Sequence, residues 1–490
     1  MRSGGFVAGP VLGLIVVLLN PGDHPIDARL LLGIITLVII WWMTEAIPLS
    51  ATALVGSALA IAAGIAPARQ VLAPYAHPVI FLFLGSFLLA EAFRKYGLDR
   101  RVAGHLLGLR AFSSSPRGLL AGMGVVSAVL SSALSNTATA ALLTPIGEGA
   151  IDARGGTAKG RARRFDSAIL LMIAYGASIG GVATLIGTPP NLLAAGFLDE
   201  LAGVQVTFTG WILFAAPLSI GMFLVTLLVV RLTLARNLEG DEVSAKATLV
   251  PPRETGSPSE ERVRRAGARW TVTAVLLAFT LWTAPAVAKG LLGPSHPFTE
   301  ALRSHLPEAG VALLCATLLF VAPVSWRGGR RFALTWAEGE RVNWGILLLF
   351  GGGLSLGMLG QETGLVAWAG EAVVGSGLAS SPGGLMLVAI VAATTLSEFA
   401  SNTASATLLI PIVIAASLQA GFDPVAPALA AAVACSCAFV FPVATPPNAI
   451  VFGTGRVPLT RMMRTGVVLD VATVVVIWTG MQLVSPLLPR

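Results

Sequence analysis

Two identical polar tripeptides interrupt apolar stretches of this chain, Ser135-Asn136-Thr137 and Ser401-Asn402-Thr403. Their surroundings match as well. Residues 132–146 read Ser-Ala-Leu-Ser-Asn-Thr-Ala-Thr-Ala-Ala-Leu-Leu-Thr-Pro-Ile, and 398–412 read Glu-Phe-Ala-Ser-Asn-Thr-Ala-Ser-Ala-Thr-Leu-Leu-Ile-Pro-Ile. Downstream of each lies a second shared element, Gly187-Thr188-Pro189-Pro190-Asn191 and Ala444-Thr445-Pro446-Pro447-Asn448. Ser, Asn and Thr are favoured helix N-caps, so each tripeptide marks one helix ending and another beginning. The new helix offers free backbone N–H groups and a positive dipole end, which suit an anion. The ending helix offers free carbonyls. Carbonyl, hydroxyl and amide oxygens together suit a hard cation such as sodium. Proline fits the first turn of a helix but not its interior, so each Thr-Pro-Pro breaks a helix and restarts it. Gly176, Gly180, Gly181 and Gly187 permit tight backbone approach near the first such break. An isolated Ser or Thr in an apolar helix usually just bonds to backbone. Four matched elements, two per half, point instead to a binding site.

No Lys or Arg lies in the core of either tripeptide segment or beside either Thr-Pro-Pro-Asn. A bound anion must then be neutralised by co-bound cations and helix dipoles. This favours cation-coupled symport over exchange, for which a fixed basic side chain is expected in the site. Glu45, in Thr44-Glu45-Ala46-Ile47-Pro48, and Glu398 fall near the membrane, where hydrogen bonding that fixes helix ends is favoured over a proton relay. There is no glycine-lysine phosphate loop and no Ser-His-Asp constellation, so neither ATP drive nor an enzyme is expected. No organic cofactor is expected. Cys315, Cys435 and Cys437 lie in apolar runs and read as packing residues.

The elements that hold these breaks are apolar. Hydrophobic residues make up 55% of the chain and charged ones 12%, about half the share usual in soluble domains. Apolar stretches of roughly 20 residues, the length that crosses a bilayer as helix, recur throughout. The fold class expected is an all-α polytopic membrane protein with eleven spans and two re-entrant hairpins. The spans fall near 6–19, 30–47, 49–66, 78–96, 167–197, 209–234, 270–290, 308–324, 343–360, 425–453 and 465–487. The stretch 6–19 is read as a retained span and not a signal peptide, because Asn20-Pro21-Gly22 looks like a turn. The hairpins, 116–150 and 382–419, are broken at their centres, and each arm is expected to be too short to cross alone. Irregular backbone at membrane depth survives only when buried in protein or lining a cavity.

Charge placement sets the topology. The net charge of +7 comes from loop clusters and does not indicate nucleic acid. One cluster is Arg94, Lys95, Arg100, Arg101, Arg110 and Arg117; a second is Arg154, Lys159, Arg161, Arg163 and Arg164. Others run from Arg231 to Arg269 and from Arg327 to Arg341. Basic loops stay cytoplasmic. The expected orientation is N-terminus inside and C-terminus outside, with the first hairpin entering from the cytoplasm and the second from the opposite side. Five spans separate the hairpins, so the halves form an inverted repeat. Phe81-Leu82-Phe83-Leu84-Gly85-Ser86 with Tyr96-Gly97-Leu98 matches Leu348-Leu349-Phe350-Gly351-Gly352-Gly353 with Thr363-Gly364-Leu365. Residues 236–269 read as a charged linker, 97–112 as an amphipathic arm on the membrane surface, and Trp41-Trp42 as an interface marker.

On the paired Ser-Asn-Thr tips, the paired Thr-Pro-Pro-Asn breaks and Thr44-Glu45-Ala46-Ile47-Pro48, the chain resembles the divalent anion:sodium symporter (DASS) family over nearly its whole length. That family includes the sodium-coupled dicarboxylate and citrate carriers. The resemblance implies a homodimer in the bilayer, with a scaffold from residues 1–112 and 270–377. It implies a transport domain from 113–235 and 378–490 that moves as an elevator. It implies one sodium site lined by Ser131, Ser135, Asn136 and Gly187, and another by Ser397, Ala400, Asn402 and Ala444. Position 397 is Ser where some relatives carry Thr, and the hydroxyl is kept. Substrate carboxylates would meet Ser135, Asn136, Thr137, Thr188, Ser401, Asn402, Thr403 and Thr445. The expectation is sodium-driven uptake of C4-dicarboxylates such as succinate, malate or fumarate, in a bacterial inner membrane. The alternatives are sodium-independent exchange, a sulfate or tricarboxylate carrier, and an anion channel.

Overall fold

The computed structural model describes residues 2–152, 161–235, 257–325, 330–377, 381–485 and 488. The basic residues Arg154, Lys159 and Arg327, and residues 236–256 of the expected linker, lie outside these. The first half begins with α1 (Arg2–Leu19), α2 (Ile26–Thr44), α3 (Leu49–Ala62) and α4 (Ala68–Leu72). A 3-10 turn (Ala73–Ala76) leads into α5 (Pro78–Lys95), α6 (Leu98–Leu107) and α7 (Arg110–Ser113). The first hairpin is α8 (Pro116–Ser131) with α9 (Asn136–Asp152). An interrupted span, α10 (Arg161–Val182) with α11 (Pro189–Ala202), precedes α12 (Phe208–Leu234). The second half comprises α13 (Pro258–Leu292), α14 (Pro297–His305), α15 (Glu308–Val321), α16 (Trp336–Gly339), α17 (Trp344–Glu362) and α18 (Leu365–Gly375). Its hairpin is α19 (Pro382–Phe399) with α20 (Asn402–Gln419), followed by a second interrupted span, α21 (Val425–Cys435) with α22 (Pro446–Gly453), and by α23 (Leu459–Val484).

Among the described residues nine helices are long and apolar enough to cross a bilayer, or ten if α14 and α15, bent by 63°, are one span. Several expectations need correction. A two-stranded antiparallel ribbon, β1 (Pro323–Ser325) with β2 (Arg331–Phe332), sits inside an otherwise helical chain. Helix α13 starts at Pro258, within the stretch read as linker, because Ser257 and Glu260 form a capping box there. The arms of the second hairpin are not too short: α19 and α20 have 18 residues each, or about 27 Å at 1.5 Å per residue. What marks this segment as a hairpin is the polar tip and the packing of the two arms on each other. Trp41 and Trp42 are buried; Trp41 stacks on Phe6 and donates to the Phe6 carbonyl, and Trp42 donates to the Leu49 carbonyl. They pack the first helices together and do not form an exposed belt.

The repeat is visible in local chemistry. Ser115 caps α8 by accepting from Gly118 N (3.0 Å), and Ser381 caps α19 by accepting from Gly384 N (3.1 Å), each followed by Pro in the first turn. Gly97 (φ 62°) and Gly364 (φ 80°) start α6 and α18. Neither has an atom within 4 Å of where a Cβ would sit, so left-handed backbone, and not space, requires glycine there. Along α6, Leu98, Ala103 and Leu107 are buried while Arg100, Arg101 and His105 are exposed, the amphipathic pattern expected of the arm.

Close backbone contact builds the centre. From Phe165 to Val182, α10 is buried on every side, as a helix apolar all round must be. A Cβ on Gly180 would lie 2.2 Å from the Ala128 carbonyl oxygen, so α10 and α8 touch backbone to backbone. Helix α10 packs on α8, α9, α12 and α22, while α20 packs on α11, α18, α19 and α21. Thus α9 meets α22 of the other half, and α20 meets α11. The two halves are interleaved, which brings both hairpins against both interrupted spans.

Candidate functional site

At the first tip the chain turns between α8 and α9 over residues 132–135. The Ser135 hydroxyl accepts from Ala138 N at 3.2 Å, so it caps α9 as its type predicts. The Ser131 hydroxyl, last on α8, donates to Asn136 Oδ1 at 2.7 Å. Gly181 faces the same amide oxygen: a Cβ there would sit 2.4 Å from Asn136 Oδ1 and 3.2 Å from the Gly187 carbonyl oxygen. A Cβ on Gly187 would lie 2.4 Å from the Gly181 carbonyl oxygen. Hydroxyl, amide and carbonyl oxygens from Ser131, Asn136, Gly187 and Gly181 therefore converge on a cradle that any larger residue would fill. Neutral oxygens in this arrangement suit a sodium ion. Ser131, Asn136 and Gly187 of the expected set are brought together, and Gly181 joins them.

The second tip repeats the Ser–Asn pair, with Ala438 and Ala444 where the first half has Gly181 and Gly187. The Ser401 hydroxyl accepts from Ala404 N at 3.2 Å. The Ser397 hydroxyl lies 3.3 Å from Asn402 Oδ1 but donates at 2.6 Å to the Cys435 carbonyl, the last residue of α21. Ala400 and Ala444 can contribute only backbone groups; both are buried.

Exposure divides the expected residues into two kinds. Ser135 and Thr137 are exposed, and Asn136, Ser401, Asn402 and Thr403 are partly so, as groups that meet an incoming solute should be. Thr188 and Thr445 are each only 2% exposed. Thr445 accepts from Asn448 N at 3.3 Å and caps α22. In this conformation these two threonines are internal to the breaks and do not face an open surface.

Each break is braced from within by its asparagine. Asn191 Nδ2 donates to the carbonyls of Gly181 (3.0 Å) and Thr184 (2.8 Å). Asn448 Nδ2 donates to those of Ala438 and Phe441, both at 3.1 Å. Hairpins brace the breaks from outside. The Thr184 hydroxyl donates to the Ser132 carbonyl in the first half. In the second, the Glu398 carboxylate accepts from Val440 N (3.0 Å) and Phe441 N (3.1 Å). Glu398 thus fixes backbone, as its sequence context suggests. Between the halves, Tyr175 on α10 donates to the Phe439 carbonyl at 3.0 Å and packs edge-on against its ring.

The model of the sodium:sulfate symporter transmembrane region matches residues 6–488. The chain belongs to the sodium:sulfate symporter family. It is 32% identical over 485 residues to the sodium-dependent dicarboxylate transporter SdcS of Staphylococcus saprophyticus, covering 96% of this chain and 89% of that relative. The SdcS of Staphylococcus aureus is also 32% identical, over 495 residues, with 99% and 91% covered. Among solved structures, the YdaH transporter of Alcanivorax borkumensis superposes with TM-score 0.56 at 17% identity over 83% of this chain and 85% of that one. MtrF of Neisseria gonorrhoeae superposes with TM-score 0.57 at 14% identity over 96% of each. These two bear on the fold alone. The family is the DASS family that the paired motifs resemble, and the chain is a helical integral membrane protein of a transporter family.

Within this family frame, the groups that sequence reasoning passed over are the braces. Asn191 and Asn448 occupy the last position of a repeated motif, a signal that was available. Tyr175 carries no motif, and nothing in its neighbourhood of sequence announces a contact 264 residues away. Cys315, Cys435 and Cys437 are buried free thiols, in keeping with packing.

Proposed function

We propose that this chain is a sodium-driven importer of C4-dicarboxylates such as succinate, malate and fumarate. The observation that carries the reading is the pair of matched tips, Ser131–Asn136 with Gly181 and Gly187, and Ser397–Asn402 with Ala400 and Ala444, in a centre formed by both halves. Sodium ions held there supply the positive charge that no basic side chain supplies. The carboxylates of the solute then meet Ser135, Asn136, Thr137, Ser401, Asn402 and Thr403 at the helix starts. Thr188 and Thr445 reach the solute only after the breaks rearrange. The relatives named sodium-dependent dicarboxylate transporters favour this cargo over sulfate or a tricarboxylate.

The packing also favours a two-part machine. Helices α1–α5 with α13–α17 form the scaffold of a homodimer, and α8–α12 with α19–α23 the moving unit of an elevator, with α6 and α18 as arms between them. Contacts between helix ends support an N-terminus in the cytoplasm and a C-terminus outside, as in a bacterial inner membrane. One set ties Trp41 to Phe6, Lys95 and Tyr96 to Ala333, and Arg456 to Asp152. The other ties His24 to Trp368, Gln70 to Glu362, His77 to Asp199 and Trp478 to Gly383. These sets alternate along the chain as eleven spans and two hairpins require, and Arg94, Arg100, Arg101 and Arg456 fall on the side of the first set.

The test is uptake of labelled succinate into proteoliposomes with and without an inward sodium gradient. Accumulation that needs the gradient supports symport. Uptake indifferent to sodium but dependent on internal dicarboxylate would replace it with exchange.

A further inference from the structure

Asn191 and Asn448 brace the two breaks without belonging to either expected ligand set, and their hydrogen bonds agree to a few tenths of an ångström. Both are fully buried. In each, the amide nitrogen bridges two carbonyls of its own break, 181 and 184 in the first half and 438 and 441 in the second. In each, Oδ1 is buried with no hydrogen-bond partner. The amide orientation follows from chemistry, because the reverse flip would aim Oδ1 at two carbonyl oxygens. A buried amide that leaves its oxygen unpaired, twice, at equivalent positions, is held there for what its two N–H groups do. The loops they close contain Gly187 and Ala444, each four residues before its asparagine. These are the positions whose carbonyls a cation would use.

We infer that Asn191 and Asn448 are positioning residues for the two sodium sites. Each holds its break in one shape before the ion arrives, so that the carbonyls of residues 187 and 444 need no rearrangement to bind it. Without the brace, the Gly181 and Ala438 carbonyls lose their side-chain donor, those of Thr184 and Phe441 keep only the backbone N–H groups of Gly187 and Ala444, the loop relaxes, and ordering it must be driven by the ion. The inference rests on the sodium-coupled reading. It predicts a specific split: the ion concentration for half-maximal uptake rises, while substrate affinity at saturating sodium stays close to wild type. Partners that orient ligands from outside the first coordination shell typically change metal affinity by roughly 10–100-fold, and that is the rise expected here.

The experiment measures succinate uptake by reconstituted full-length protein against sodium concentration for wild type, Asn191→Leu and Asn448→Leu. The substitution keeps the branched shape and removes both N–H donors without adding a charge beside the cation site. A rise of roughly tenfold or more in the sodium requirement, with the succinate KM at saturating sodium little changed, supports the inference. An unchanged sodium requirement overturns it. Sodium-independent uptake by the wild type would instead overturn the symport reading, so the two failures are distinct. Should the variants not reach the membrane, hydrogen exchange on the wild type decides. Amides of 182–188 and 439–445 protected equally with and without sodium support preorganisation, and protection that appears only on adding sodium refutes it.

Discussion

The hydroxyl of Ser131 donates to Asn136 Oδ1 at 2.7 Å, whereas that of Ser397, its counterpart, donates to the Cys435 carbonyl at 2.6 Å and stands 3.3 Å from Asn402 Oδ1. The first pair is closed within one hairpin tip. The second ties its hairpin to α21. The two Ser–Asn pairs are therefore equivalent in residue type and different in linkage.

On the proposed sodium-coupled reading, removing either hydroxyl would deprive a sodium ion of a neutral oxygen. Hydrogen bonds or ligand contacts to a charged group contribute about 1.5–3 kcal/mol, so Ser131→Ala is expected to raise the sodium requirement for uptake roughly tenfold or more. Ser397→Ala does the same and also lowers thermal stability, since it frees a buried carbonyl of α21. Ser397→Thr keeps the hydroxyl and should retain wild-type sodium dependence. Uptake titrated with sodium, beside melting curves of the purified protein, separates the two serines. Equal melting temperatures for Ser131→Ala and Ser397→Ala would contradict the linkage described.

The cradle at Gly181 has no room. Gly181→Ala places a methyl 2.4 Å from Asn136 Oδ1, closer than a non-bonded carbon sits to oxygen, so the Asn136 amide must move. Its backbone neighbour across the break, the Gly187 carbonyl, cannot retreat without opening the site. Uptake should fall below detection in proteoliposomes containing normal amounts of protein. Gly104→Ala, on α6 with no atom within 4 Å of the new methyl, should transport as wild type and serves as the control. Normal uptake by Gly181→Ala would show that the cradle is not used.

Much of this architecture is legible in the chain because its strongest signals are local. Ser-Asn-Thr and Thr-Pro-Pro each specify a backbone event within a few residues, and each helix break occurs at its motif. The interleaving of the halves is not local. Nothing in 136–152 states that α9 will pack on α22, nor does Tyr175 reveal its partner. The expectation that α19 and α20 are each too short to cross fails for the same reason, although the hairpin's bounds agree: a span and a hairpin arm of 18 residues look alike until their neighbours are known. The burial of Trp41 and Trp42 is likewise set by partners on other helices, Phe6 of α1 for Trp41 and the Leu49 carbonyl of α3 for Trp42.

Stability at low pH should depend on Glu338, in the short α16. Burial alone would raise its pKa, but hydrogen bonds from Lys95 and Thr335 outweigh burial and lower it below its usual value of 4.5. A lowered pKa in the folded state means that the carboxylate contributes stability that is complete above the unfolded-state value. That stability is lost as pH falls through the folded one. Glu338→Gln should therefore melt lower than wild type near pH 7, with the gap closing below about pH 4. A gap that stays constant from pH 7 to pH 3 would rule out this ion pair as the cause.

Tyr175 supplies a test of how firmly the halves are joined. Its hydroxyl is wholly buried and satisfies the Phe439 carbonyl, which lies in the second break beside the two amides held by Glu398. Tyr175→Phe keeps the ring and its edge-on contact with Phe439 but leaves that carbonyl without its donor. An unsatisfied buried acceptor costs about 1–3 kcal/mol, so the purified variant should melt several degrees below wild type. The loss should also reach the transport cycle through geometry, because Phe439 lies between Ala438 and Phe441, the carbonyls bridged by Asn448. If the break is held by this bond as well as by the asparagine, combining Tyr175→Phe with Asn448→Leu will raise the sodium requirement by more than the product of the single effects. Strictly multiplicative effects would mean that the tyrosine joins the halves without shaping the site.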